Sequence, residues 1–108
     1  MPITTPETLE EARQSRPGAL IYISSQTCNV CHALKPKVFD AFASAYPKLA
    51  RFEIDATATP ELAASMQVFA APTVIIFLDG QEVVRKSRAF GVDELLQSIE
   101  RPYRIFTS

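Results

Sequence analysis

Ala19-Leu20-Ile21-Tyr22-Ile23 places an apolar or aromatic side chain at every position of a five-residue run. An extended chain alternates its side chains between two faces, so both faces of this run are apolar and both need cover. That predicts a central strand buried between two layers, rather than an edge strand with one face in water. The flanking sequence supplies the layers. Thr5-Pro6-Glu7 combines a cap, a first-turn proline and a following acid, and the helix it starts should run to about Gln14 and stop before Pro17-Gly18. From Cys28 to about Tyr46, the residues Cys31, Leu34, Val38, Phe42 and Ala45 recur at steps of three and four. Lys35, Lys37, Asp40 and Ser44 occupy the other faces, so this is an amphipathic helix, with a kink expected at Pro36.

The second half repeats the alternation. Ala50 to Ile54 reads as a strand, and Thr59-Pro60-Glu61 opens a short helix with the signature of the first. Thr73 to Leu78 is a β-branched strand, and Asp79-Gly80 marks a tight hairpin into Glu82–Lys86. Val92, Leu95, Leu96 and Ile99 line one face of a last helix, with Asp93 and Glu94 in its first turn and Pro102 expected to end it. Strands alternating with helices, then a hairpin, predict an α/β fold: a small mixed β-sheet with helices on both faces.

A chain of 108 residues suits a single domain spanning 1–108, with 101–108 as a C-terminal tail. Tyr103, Ile105 and Phe106 in that tail are expected to pack on the domain or on a partner. Eleven Lys and Arg against twelve Asp and Glu leave a net charge of -1, giving no bulk attraction to nucleic acid or anionic lipid. No apolar run approaches membrane-spanning length, and Met1-Pro2-Ile3-Thr4-Thr5 has neither the basic start nor the hydrophobic stretch of a secretory signal. The expectation is a cytoplasmic protein without a nucleic-acid or membrane partner. Arg85-Lys86-Ser87-Arg88 is a small basic cluster, read as a solvated strand face or a seat for an acidic partner.

The cysteines are Cys28 and Cys31, three apart, where a strand's exit loop enters a helix. Free backbone N–H groups and the positive end of the helix dipole favour a thiolate there, which makes Cys28 the expected nucleophile. Cys31, one turn further on the apolar stripe, should be buried and close enough to resolve a mixed disulfide. Other chemistries compete for this spacing. His32 follows Cys31 directly and is a poor third zinc ligand, so no intrachain metal site is expected. A zinc or iron–sulfur site shared across a dimer, or an inert pair of core cysteines, stays open. His32 itself is a surface residue or a stabiliser of the Cys28 thiolate.

Taken with Pro36 five residues after Cys31, Ile54-Asp55 ending a strand, Ala71-Pro72-Thr73 before the β-branched strand, Asp79-Gly80 and Gly91, this pair resembles the thioredoxin family over about residues 3 to 100. The resemblance implies a thioredoxin fold in which Pro72 is the family's cis-proline, facing the cysteines. It also implies that the backbone of Ala71, with Pro72 and Thr73, binds an extended substrate segment. The chain departs from the family at several modulating positions. Thr27-Cys28-Asn29-Val30-Cys31 replaces the usual Trp-Cys-Gly-Pro-Cys, and Asn29 and Val30 bear on the reduction potential. Tyr22 stands where the family keeps a buried acid, and Arg51 is expected at the position of that acid's lysine partner.

The resulting expectation is a thiol–disulfide oxidoreductase, a monomer or weak dimer, exchanging disulfides with protein substrates and re-reduced by an upstream thiol reductase. Its redox group is the Cys28–Cys31 disulfide, with no separate cofactor. The alternative is a thioredoxin-fold binding module that grips a partner at the same groove without turnover. Glutaredoxin-type activity fits less well, because Asn29-Val30 is not the Pro-Tyr usual there.

Overall fold

Thr5 opens the first helix by the expected device: its Oγ1 accepts the Thr8 amide at 3.1 Å, while the Thr8 hydroxyl receives the Thr5 amide at 3.2 Å. The protein, a computed structural model describing residues 2–107, continues from there as α1 (Pro6–Arg13), β1 (Gly18–Ser24), α2 (Asn29–Ala45), β2 (Ala50–Asp55), α3 (Pro60–Ser65), β3 (Thr73–Leu78), β4 (Gln81–Ser87) and α4 (Val92–Thr107). The sheet order is β2-β1-β3-β4. β1 runs parallel to β2 and antiparallel to β3, so it is the interior strand its composition requires. Asp79 and Gly80 both take positive φ, 53° and 80°, which is the backbone a two-residue hairpin needs between β3 and β4.

The two faces of β1 and β3 divide the core. Leu20, Tyr22, Val74, Ile76 and Leu78 pack under α2 and α4 with Cys31, Val38, Phe42, Leu95 and Ile99. Ile21, Ile23, Ile75 and Phe77 pack with Leu9 and Ala12 of α1 and Leu62 and Ala63 of α3. On α2 the buried stripe is Cys31, Val38 and Phe42, whereas Ala45 in the last turn is exposed. Thr59 does not cap α3; its hydroxyl donates instead to the Asp55 carbonyl at 3.0 Å. No helix among the described residues is long and apolar enough to cross a membrane.

At the C-terminus the structure departs from the expected helix end and from packing of the whole tail on its own domain. Pro102 does not end the last helix: α4 continues to Thr107. A helical proline loses its own N–H bond and crowds the carbonyl one turn back, a local cost that the next residue's packing opposes here: the Tyr103 ring meets Tyr46 edge-on with centroids 4.8 Å apart. The tail is also less covered than its composition suggests. Tyr103 is half-buried, but Ile105 is 62% and Phe106 39% exposed.

Candidate functional site

The sheet brings three chain segments to one edge. Ile23 pairs with Thr73 and Ser24 with Asp55, so the exit of β1, the entry of β3 and the end of β2 lie side by side. Asp55 shapes the loop between them. Its Oδ1 accepts the amides of Thr57 (2.9 Å) and Ala58 (3.3 Å), and its Oδ2 accepts Gln26 Nε2 at 2.9 Å. These donors, the Gln26 amide foremost, hold the Asp55 carboxyl below its ordinary value. The Gln26 backbone N–H in turn donates to Thr57 Oγ1 at 3.0 Å. Gln26, in the loop before α2, is thereby tied to the C-terminal end of β2 and the turn that follows it. Neither Gln26 nor this role for Asp55 is visible in local pattern, since the contact spans twenty-nine positions.

Cys28 is the N-cap residue of α2. Its backbone is extended (φ -96°, ψ 95°) and its Sγ accepts the Cys31 amide at 3.1 Å. A sulfur in that position takes the place of a capping oxygen, and an anion there is stabilised by the helix's free amides. The two cysteines form a disulfide with Cα atoms 5.2 Å apart. Cys31 is fully buried, whereas Cys28 is only half-buried and is flanked by exposed Thr27, Asn29 and Val30. An attacking thiol therefore meets Cys28 first. His32 lies on the helix surface with Nε2 3.4 Å from the Gln26 carbonyl, over the loop. Among the described residues no three His, Cys, Asp or Glu side chains converge as a metal site.

Tyr22 lies beneath the helix, fully buried, and its hydroxyl donates to the Cys31 carbonyl at 2.7 Å. Burial pushes its phenol up to about 12. At neutral pH the hydroxyl is therefore a committed donor rather than a proton acceptor. Across the sheet the residue opposite Tyr22 is Glu53, not Arg51, which stands opposite Leu20 and donates from Nη1 to the Leu49 carbonyl at 3.0 Å. The parallel register sets this: Phe52 and Ile54 point into the α1/α3 layer, which leaves Arg51 and Glu53 on the face of β2 that Tyr22 shares, with Glu53 directly beside it. Lys35 of α2 meets it, Nζ to Oε2 at 2.8 Å.

The second wall is the turn into β3. The Ala71–Pro72 peptide is cis. Pro72 is buried, Ala71 packs on the same core cluster as Cys28 and Cys31, and the Thr73 hydroxyl donates to the Ala70 carbonyl at 2.7 Å. Between Ser25 and Ala71 a cleft of about 370 Å³ is lined by Ala56, Ala63, Ala64 and Val68, with Phe69 at its rim, 84% exposed. Phe69 was not marked by sequence reasoning, since an aromatic residue in a loop reads as core until the loop's path is known.

The thioredoxin family model matches residues 2–101. The chain is 35% identical over 91 residues to the thioredoxin-like protein YdfQ of Bacillus subtilis, covering 82% of this chain and 78% of that one. Among solved structures it superposes on a mutant thioredoxin from Halobacterium salinarum with a TM-score of 0.82 at 24% identity, covering 94% of this chain and 88% of the other. The thioredoxin of Fasciola hepatica gives a TM-score of 0.72 at 32% identity over 88% of each chain.

Proposed function

The chain belongs to the thioredoxin family, and on that premise we propose that Cys28 and Cys31 catalyse thiol–disulfide exchange with protein substrates. The observation that carries this reading is the asymmetry of the pair: a half-exposed Cys28 sulfur capping α2 and a fully buried Cys31 one turn in. In the reduced protein the Cys28 thiolate attacks one sulfur of a substrate disulfide, and the other sulfur leaves as a thiolate. The Cys31 thiol gives up its proton and attacks Cys28 Sγ, which releases the substrate as a dithiol and closes the Cys28–Cys31 disulfide. Two electrons have passed to the substrate, and an external dithiol reductase restores the pair. The backbone at Ala71 and Pro72 receives the extended substrate segment, and Thr73 holds that turn closed through Ala70.

Trapping tests the proposal. Cys31→Ser leaves a nucleophile that cannot release its partner, so disulfide-linked high-mass species should accumulate in extracts and vanish with reductant. Cys28→Ser should trap none. Partner capture equal in wild type and both variants, and indifferent to reductant, would overturn the oxidoreductase reading in favour of a binding module.

A further inference from the structure

The basic cluster on β4 separates into three different fates. Arg85 is bound to Glu82 by two contacts of 2.8 Å and donates to the Met66 carbonyl at 2.9 Å. Lys86 meets Glu94 of α4 at 3.1 Å. Arg88 is exposed, and no carboxylate among the described residues lies within ion-pair distance of it. Its backbone is nonetheless fixed. The Arg88 amide donates to the Pro72 carbonyl at 2.8 Å, adding one rung beyond Thr73–Ser87 to the β3–β4 ladder. That rung anchors a cation beside the turn whose Ala71 shares the core cluster of Cys28 and Cys31.

The backbone there is unusual for this side chain. Arg88 has φ 67°, in the left-handed region that glycine enters freely and a long L side chain does not. Glycine would relieve this backbone, so an arginine here costs the fold some strain, which points to a use for its charge. Val30 is 65% and Phe69 84% exposed, Thr27 and Asn29 beside Cys28 are exposed and uncharged, and the cleft that Phe69 lines has no charged residue in its lining. A guanidinium without an ion-pair partner among the described residues, on a backbone bonded to Pro72, distinguishes partners by charge.

We propose that Arg88 selects substrates, favouring polypeptides with an aspartate or glutamate flanking the reactive cysteine. The inference rests on the oxidoreductase reading above, and names the substrate class of that same site. An exposed charge pair contributes modestly, so attraction for one peptide and repulsion of another should separate their rates by about threefold to tenfold.

The test uses two synthetic disulfide peptides identical except for Glu or Lys beside the cysteine, reduced by the full protein under a thiol reductant. The expected result is a higher kcat/KM for the Glu peptide, by a ratio that shrinks between about 20 and 500 mM salt. Arg88→Lys should retain the preference, Arg88→Gln should abolish it, and Arg88→Glu should reverse it. Arg88→Gly should raise the melting temperature while losing the preference, a combination that a purely structural arginine does not produce. An unchanged ratio in Arg88→Gln would overturn the assignment of Arg88 and leave the oxidoreductase reading standing. Wild-type protein that reduces neither peptide would overturn both.

Discussion

Removing one oxygen atom from the core tests how the buried cysteine is held. In Tyr22→Phe the ring remains between β1 and α2, but the 2.7 Å hydrogen bond to the Cys31 carbonyl is lost. Both residues are fully buried, so water does not replace the missing donor. A buried hydrogen bond contributes about 1 kcal/mol net, and the under-served carbonyl adds a fraction more, giving a loss of about 1–2 kcal/mol. With an unfolding entropy of about 2.1 cal/mol/K per residue, that corresponds to a fall in melting temperature of roughly 4–9 °C for a chain this long. Urea unfolding of the oxidised protein measures it: the midpoint should drop while the slope with denaturant stays constant. Tyr103→Phe, a change on a half-buried ring, should stay within about 0.5 kcal/mol of wild type. If Tyr22→Phe were equally close to wild type, the hydroxyl would not pin Cys31's turn to the sheet, and the argument for it would fail.

Two further outcomes follow from the same geometry. The folded protein holds the Tyr22 phenol proton to about pH 12, against 10 in an unfolded chain. The stability gained is therefore complete below pH 10 and lost as pH rises from 10 towards 12, so the gap between wild type and Tyr22→Phe should narrow over that interval in urea unfolding curves. At the other end of the molecule, truncation before Ile105 should leave stability within about 0.5 kcal/mol, since Ile105 and Phe106 are exposed. Tyr103→Ala should cost about 1–2 kcal/mol through loss of its contact with Tyr46, as read by thermal unfolding.

The parts of this molecule that are local in origin were legible in its sequence. β1 declares itself because five consecutive side chains need burial, Asp79-Gly80 because few other pairs adopt two positive φ angles, and Cys28 because a strand exit meets a helix start. Register was not legible. Whether Arg51 or Glu53 faces Tyr22 depends on how β2 settles against β1, and nothing within β2 states it. Glu53's partner Lys35 lies eighteen positions away, and the Gln26–Asp55 clasp spans a whole helix and strand. Pro102 misled for the opposite reason: a local rule for ending helices yielded to a tertiary contact made by the next residue. Arg88 illustrates both limits, since its charge is plain in sequence while its rung to Pro72 exists only in the folded sheet.

The central claim is that Cys28, not Cys31, is the nucleophile of a reversible two-electron couple. Differential alkylation in graded glutathione buffers tests it most directly. Protein equilibrated at each buffer ratio is quenched with limiting iodoacetamide, and the modified cysteine is located by mass spectrometry. The account predicts one oxidised-to-reduced transition with a slope of about 30 mV per decade, and modification of Cys28 ahead of Cys31 with an apparent pKa below the ordinary thiol value of about 8.5. Modification of Cys31 first, or a pair that stays in one redox state across the whole series, would contradict it.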